Sequence, residues 1–496
     1  MKKIISLLLY IVLLLAALFL SASILISGNY IIGCLCLIVS ALFGFVYISK
    51  SAYSFRYLFP SLFGFGMFVI LPLVYTIYIA FTNYSAEHYQ TYDDVKEFIM
   101  KEERLEMDKI FSFRVYKQGE DYNLFAQSSN KDIYKITLDK SKEDYVAEKV
   151  SALPTTGEVS LKELVSQRNF LKQIDVNISG ESVKMVSLRQ LAPVHTIWIE
   201  EGDKALKNVD TGVIINPNFE TGFYVLSDGT TYGPGFRASV GFDNFKSIAT
   251  NESIRQPFLV VFVWTLTFAV LSVALTFIIG FLLSVLLEWK AIRGVKVWRS
   301  LLILPYAVPA FISILIFKGL FNPQFGEINM VLNGLFGFRP EWTTDPMLAR
   351  TMCLFVNVWL GYPYMMILCT GVLQSVPTDI YEASAIDGGT AFSDVFQMTL
   401  PLTFPPMKPL LIASFAFNFN NFLLIQLLTG GAPQIPTAST AVGYTDLLVT
   451  YTYNIAFRNA GAKYGFASAI SVIIFVIVSI IAYANLRLTN STDSKN

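Results

Sequence analysis

The sequence predicts an all-α integral membrane protein of about eight transmembrane helices, with a mainly β (α+β) domain inserted after the third. Three observations carry that prediction. Of the 496 residues 54% are hydrophobic and only 15% charged, too apolar a balance for a soluble chain of this length. About eight windows reach the roughly 20 apolar residues that a helix needs to cross a bilayer. One polar gap of roughly 170 residues, as long as an ordinary domain, separates the third window from the fourth.

The windows run over 4–26, 30–49, 58–82, 257–287, 300–320, 350–373, 409–428 and 464–486. The first follows Lys2 and Lys3 and passes Ser21-Ala-Ser, which resembles a signal-peptide cleavage site. Its apolar core continues to Ile26 and a second span follows at once, so it reads as a retained anchor. Loop charge sets the orientation. Lys2, Lys3, Lys50, Arg56, Lys290, Arg293, Lys296, Arg299 and Arg487 fall on one side if the spans alternate, and that side is the cytoplasm, with both termini on it. The chain then divides into three N-terminal helices over 1–83, an exported domain over 84–256, a helical core over 257–487 with a cytoplasmic loop over 374–408, and a tail over 488–496.

Within the exported segment, 96–111 has helical spacing, whereas 134–138, 182–188 and 195–199 alternate or are rich in β-branched residues. Ser227-Asp-Gly-Thr and Gly233-Pro-Gly-Phe mark turns. Asp93-Asp94 and Glu102-Glu103 read as solvated helix faces rather than as a catalytic site. Lys plus Arg and Asp plus Glu each number 37, so no basic field exists to attract nucleic acid. Cys34, Cys36, Cys353 and Cys369 lie in apolar stretches and suggest neither a disulfide framework nor a zinc cluster, and with only His88 and His195 no metal site is expected.

The most informative segment is the loop after the sixth window, Pro377-Thr-Asp-Ile-Tyr-Glu-Ala-Ser-Ala-Ile-Asp-Gly-Gly, continuing to Thr399-Leu-Pro-Leu. It reads as two short helices. Asp379 is placed to cap the first, with Glu382 three residues on, and Gly388 or Gly389 to end it in the left-handed conformation. Ala383, Ala385 and Ile386 make such a helix a compact knob able to fit a groove on a partner. Spacing alone fits an interfacial helix that merely links two spans equally well.

The residues themselves add a resemblance. Glu382-Ala-Ser-Ala-Ile-Asp-Gly with Leu400-Pro401 closely resembles the EAA loop of ABC importer permeases, with Ser384 in place of the second Ala and Met398 in place of the usual Ile. Arg56-Tyr57, Ala80-Phe-Thr-Asn-Tyr, Leu304-Pro-Tyr-Ala-Val-Pro, Phe317-Lys-Gly-Leu-Phe-Asn, Gly361-Tyr-Pro-Tyr and Ala416-Phe-Asn-Phe-Asn-Asn look like the maltose/maltodextrin importer permeases of the binding-protein-dependent transport system inner membrane component family. The eight spans and the domain after the third are similar too. The resemblance implies a type I ABC importer permease core in a bacterial inner membrane. It implies that Glu382, Ala383, Ser384, Asp387 and Gly388 dock in a cleft of an ATPase subunit. The partners implied are a second, smaller permease of the MalG kind, two copies of a MalK-like ATPase and a periplasmic maltose-binding protein.

Two helical faces point to a sugar site independently. Asn357, Leu360, Gly361 and Tyr364 stand at i, i+3, i+4 and i+7 in the sixth window, and Ser414, Phe417, Asn418 and Asn421 repeat that spacing in the seventh. Amides donate and accept together, as sugar hydroxyls require, while aromatic rings cover apolar sugar faces and a glycine allows close approach. The bland alternative, polar residues gluing helices, is the commoner role of a lone residue. The resemblance implies a maltose site of Tyr306, Asn357, Leu360, Gly361, Tyr364, Ser414, Phe417, Asn418 and Asn421, with Ala310 where the family has Ser and an extra Ala in Gly430-Gly-Ala-Pro.

A proton- or sodium-coupled sugar transporter would bury ionisable residues in its spans, and the cores of the last three windows contain none. No Gly-x-x-x-x-Gly-Lys-Ser/Thr loop occurs, so the chain is expected to be no enzyme and to bind no cofactor, ATP and Mg being used by the partner ATPase. An ABC permease for another oligosaccharide remains the alternative.

Overall fold

The computed structural model describes residues 2–26, 30–48, 52–118, 121–138, 144–289, 292–438, 440–458 and 461–493. Lys50, Lys290 and the last three residues of the tail lie outside them. The chain forms two compact units, residues 1–82 with 241–496, and Asn83–Val240.

The first unit opens with α1 (Lys2–Ile26) and α2 (Tyr30–Ile48), which pack together, and a third helix made of α3 (Phe55–Phe65), a π-helical turn over Gly66–Ile70 and α4 (Leu71–Ala80).

The second unit holds α5 (Tyr92–Met100), α6 (Leu161–Ser166), α7 (Arg168–Gln173) and two antiparallel-dominated sheets. The larger sheet is built on Phe111–Gln118, Asp121–Gln127 and Ile133–Leu138, with Gln190–Thr196 on the other edge of the first of these strands. Its register sets Phe113 opposite Ala126 and Val115 opposite Leu124, so period-two alternation buries one face beneath Leu164 and Leu171 of the two small helices. The smaller sheet is a five-stranded meander from Trp198–Glu201 to Thr231–Tyr232, packed through Trp198, Leu206, Ile215 and Tyr224 against Val95 and Ile99 of α5.

Three sequence readings change here. The helix expected over 96–111 stops at Met100, because strand pairing takes Glu103–Leu105 and Phe111–Gln118. The compact second unit ends at Val240, and residues 241–256 pack with the first unit. The paired acids are not simply solvated. Asp94 forms a capping box with Thr91 and is held below the usual carboxylate range by the Thr91 hydroxyl and backbone. Glu102 Oε2 accepts from Trp198 Nε1 at 3.0 Å and Tyr232 hydroxyl at 2.7 Å, and Glu103 pairs with Lys184. Asp94, Glu102 and Glu103 are each engaged separately, which is a structural role, and Asp93 is exposed.

The chain then continues in the first unit through α8 (Asp243–Thr250), α9 (Glu252–Glu288), α10 (Val295–Ala307), α11 (Ala310–Leu320), α12 (Glu327–Phe336) and α13 (Pro346–Leu373). It ends with α14 (Asp379–Ile386), α15 (Ala391–Ser393), a π-helical segment over Asp394–Thr399, α16 (Leu400–Phe419), α17 (Phe422–Leu428), α18 (Leu448–Phe457) and α19 (Tyr464–Asp493). Among the described residues six helices are long and apolar enough to cross a membrane, and α10 with α11, bent by 89° at Val308-Pro309, makes a seventh if counted as one span. The second expected span, α2, has 19 residues, at the lower edge of what a bilayer requires.

The seventh window shifts most. The sequence places it over 409–428, whereas the continuous helical run is Ala391–Phe419 and the chain breaks at Asn420 before α17. Lys408 lies on this helical run ahead of the expected window, its ammonium 5.9 Å from the centre of the Phe404 ring.

The core is organised by α9 and α13. On α9 the buried small residues Ser272, Thr276, Gly280 and Ser284 recur every fourth position, a stripe that lets another backbone approach closely. A Cβ on Gly280 would lie 2.7 Å from both the Met365 Cβ and the Met366 amide nitrogen of α13. Replacing Gly280 with Leu is therefore expected to cost about 1–3 kcal/mol through overpacking, lowering the thermal midpoint of the purified complex. Gly319→Leu, where a Cβ meets nothing within 4 Å, should leave the midpoint unchanged.

Candidate functional site

Helix α13 brings Asn357 to the break between α16 and α17. Asn357 Nδ2 donates to Asn418 Oδ1 at 2.7 Å, and Asn421 Nδ2 donates to Asn357 Oδ1 at 2.9 Å. Asn418 Nδ2 donates to the Ser414 carbonyl at 2.8 Å, and Asn421 Oδ1 accepts from the Leu424 amide as the N-cap of α17. Three amides thus form one closed cluster in which Asn357 and Asn418 are buried, as polar groups in an apolar surrounding must be when satisfied by one another.

This arrangement alters the reading of the two faces. Asn421 does not continue the face of α16, since the helix ends at Phe419; it reaches the cluster by capping the next helix. Gly361 faces α9, where a Cβ would come within 2.9 Å of Thr276 Cγ2, so its lack of a side chain lets the two helices approach. Leu360 packs against the buried apolar cluster that includes Trp264, Phe268, Ile314 and Leu424. Ser414 is half-buried and contributes its carbonyl. The remaining members of the expected site present open aromatic surface, with Phe417 72%, Tyr306 58% and Tyr364 41% exposed. The Tyr362 hydroxyl donates to the Leu302 carbonyl at 3.0 Å and so holds α10, which carries Tyr306, against α13.

The loop after α13 is the second candidate. Its first helix, α14, begins at Asp379 with Thr378 at the N-cap position and no side-chain cap, so Asp379 does not cap it as the sequence suggested. Gly388 does take the left-handed conformation, at φ +81°, and turns the chain. Glu382, Ala383, Asp387 and Gly388 are exposed, as are Ile386 at 87% and Phe392 at 75%, which makes an apolar knob with charged flanks. Ser384 is buried instead. Its hydroxyl donates to Asp394 Oδ1, and the Tyr381 hydroxyl lies 3.1 Å from Thr399 Oγ1, so α14 and the segment leading into α16 are tied as one piece. Gly389 closes against Ser384 Oγ, leaving no room for a Cβ.

Sequence reasoning missed the groups that hold these parts. Glu288 Oε1, at the end of α9, accepts from Arg299 Nη2 at 3.0 Å and Gln374 Nε2 at 3.1 Å, joining α9, α10 and the end of α13 just before the loop. No local motif announces that triad. At the opposite end of α13, Arg350 Nε donates to the Tyr444 carbonyl at 2.9 Å and its guanidinium lies over the Trp264 ring at 4.8 Å. Tyr444 belongs to the loop 429–447, which is built around Asp446. That carboxylate accepts from the Gly443 amide at 2.8 Å and the Thr450 hydroxyl at 2.7 Å.

The comparisons with known proteins fit this layout. Residues 90–241 match the family described as the maltose transport system permease protein MalF P2 domain, and residues 277–489 match the binding-protein-dependent transport system inner membrane component. The maltose/maltodextrin transport system permease protein MalF of Klebsiella aerogenes is 44% identical over 474 residues, covering 93% of this chain and 92% of that protein. The chain belongs to the MalF permease family. MalF of Escherichia coli strain K12 is 43% identical over 477 residues, with 93% and 92% coverage. A solved bacterial ABC transporter for alginate import is 23% identical over 51% of this chain and 84% of its own, with a TM-score of 0.44. As a MalF family member, the chain is a permease subunit of an ABC importer of the inner membrane.

Asp446 gives a pH test. Burial pushes its carboxyl up to about 6, so the folded state binds a proton more readily than the unfolded chain near 3.8. The stabilisation is present below about pH 4 and lost as pH rises through 6, roughly 3 kcal/mol in all. Measured against Asp446→Asn, the wild-type complex should gain thermal stability as pH falls from 7 to 4.

Proposed function

We propose that this chain carries maltose and maltodextrins across the inner membrane by alternating access. In this reading it works with a second, smaller MalG-like permease, two copies of a MalK-like ATPase and a periplasmic maltose-binding protein that delivers the sugar. Both termini face the cytoplasm, as the Lys and Arg of the short loops favour. The observation that carries the reading is the exposed knob of α14, braced by Ser384 and Asp394 and joined through residues 374–378 to α13, which also carries Asn357. A partner that closes on the knob would move α13 as a rod and disturb the amide cluster.

The chemistry at the cluster follows from its hydrogen bonds. Because Asn357, Asn418 and Asn421 already satisfy one another, a sugar hydroxyl entering among them exchanges one hydrogen bond for another, and little net energy is available until the helices separate. Movement of α13 relative to the α16–α17 break opens those amides to hydroxyls, while Phe417, Tyr306 and Tyr364 offer ring faces to the apolar side of the sugar. Binding and motion are then the chain's whole contribution, with the energy supplied by ATP and Mg on the ATPase partners.

Uptake of labelled maltose in cells lacking their own maltose permease, given this chain and its partners, tests the proposal. Uptake blocked by excess maltotriose but not by sucrose is the expected result, and no uptake with an intact complex would move the substrate to another sugar. Phe417→Ala should raise the apparent KM about two- to tenfold without loss of assembly, because the ring is exposed. Glu382→Lys should reduce uptake at least tenfold while the protein still reaches the membrane, since an exposed docking surface would gain the wrong charge.

A further inference from the structure

Between α2 and the helix formed by α3 and α4 lies an apolar groove of about 530 Å³. Val39, Leu42 and Val46 of α2 line one wall, with Phe59, Leu62 and Met67 among the residues opposite, and no lining residue has a polar side chain. The π-helical turn at Gly66–Ile70 falls along the groove, and a Cβ on Gly66 would meet nothing within 4 Å. Arg56 stands at the end where the two helices connect. Its Nε donates to the carbonyl of Val46, a wall residue, at 3.1 Å, and its guanidinium lies 5.2 Å from the centre of the Tyr53 ring. The Tyr47 hydroxyl donates to the Arg56 carbonyl at 3.3 Å, and the Tyr47 and Phe59 rings meet at 5.7 Å, so the charged end of the groove is fixed by contacts from both helices.

An apolar groove between helices of the membrane unit, with a fixed cation beside one end, matches a molecule with a hydrocarbon tail and an anionic head. We propose that this groove binds an acyl chain of an anionic phospholipid whose phosphate pairs with Arg56. A second protein helix fits the walls poorly. Close helix packing in a bilayer depends on small residues that let backbones approach, and apart from Gly66 the lining consists of Val, Leu, Ile, Phe and Met. Such large, adaptable side chains suit a flexible tail. The guanidinium supplies the planar donor set that binds phosphate oxygens in pairs, and a basic residue at an anionic membrane surface favours the charged headgroup about fivefold. The groove involves neither the amide cluster nor the α14 knob, so the proposal does not depend on the transport reading.

The test is native mass spectrometry of the purified, delipidated complex of this chain with its partner subunits, titrated with phosphatidylglycerol or phosphatidylcholine. The wild-type complex should retain phosphatidylglycerol about fivefold better than phosphatidylcholine. Arg56→Gln should remove that preference and Arg56→Lys should restore part of it, while Gly66→Phe, whose ring enters the groove, should lower retention of both lipids. Equal retention of the two lipids by the wild type, or unchanged phosphatidylglycerol retention in Arg56→Gln, overturns the proposal. So does a Gly66→Phe chain that keeps its lipid but loses the second permease, which would assign the groove to a protein helix. If Gly66→Phe prevents purification, the pair of Arg56 variants decides the matter alone.

Discussion

The close approach of α9 and α13 is the contact on which the rest of the membrane unit depends. Lipid tails are as apolar as leucine, so no hydrophobic gain holds two helices together in a bilayer, and packing at short range must do it. The fourfold-spaced Ser272, Thr276, Gly280 and Ser284 provide the flat surface, and Gly361 from the other side fits over Thr276. Once α13 is seated there, its two ends are set as well. Arg350 meets Tyr444 and Trp264 at one end, and Gln374 meets Glu288 at the other.

Everything functional hangs from α13. It places Asn357 beside the break at Asn420, and it runs through Gln374 into the braced loop that carries the exposed knob. Asn357 of the amide cluster and the loop that carries the knob are therefore joined through the same helix. That the amides are satisfied among themselves explains how polar groups can sit in an apolar span without a ligand, since each unsatisfied one would cost about 1–3 kcal/mol. It also reconciles the two readings of those residues: helix glue in this conformation, and the hydroxyl partners proposed for another.

Broken and irregular helices concentrate where the chain must do more than cross. The 89° bend at Val308-Pro309, the π-helical turns at Gly66–Ile70 and Asp394–Thr399, and the break at Asn420 all free backbone groups or redirect side chains. Asn421 shows how such a break is tolerated, because its side chain caps α17 at one atom and joins the amide cluster at another. The unit Asn83–Val240 obeys different physics, with a soluble domain's alternating strands and buried sheet faces. Its ends are clasped by Asn83, whose Oδ1 accepts from the Ala238 amide at 2.7 Å.

Composition and periodicity by themselves determined the membrane class, most of the spans, the β-rich character of the inserted domain and the knob-forming loop, because burial in lipid or in a sheet face leaves a repeating mark on the residues concerned. The small-residue stripe on α9 is legible in the same way. Only the tertiary structure decided which neighbours those faces meet. Nothing near Ser384 in the sequence points to Asp394, nothing near Gly361 points to Thr276, and the helical spacing that placed Asn421 on one face with Asn418 concealed a break between them. Periodicity reports which side of a helix is buried; the partner on that side is chosen by packing between segments far apart in the chain, and local residues carry no record of it.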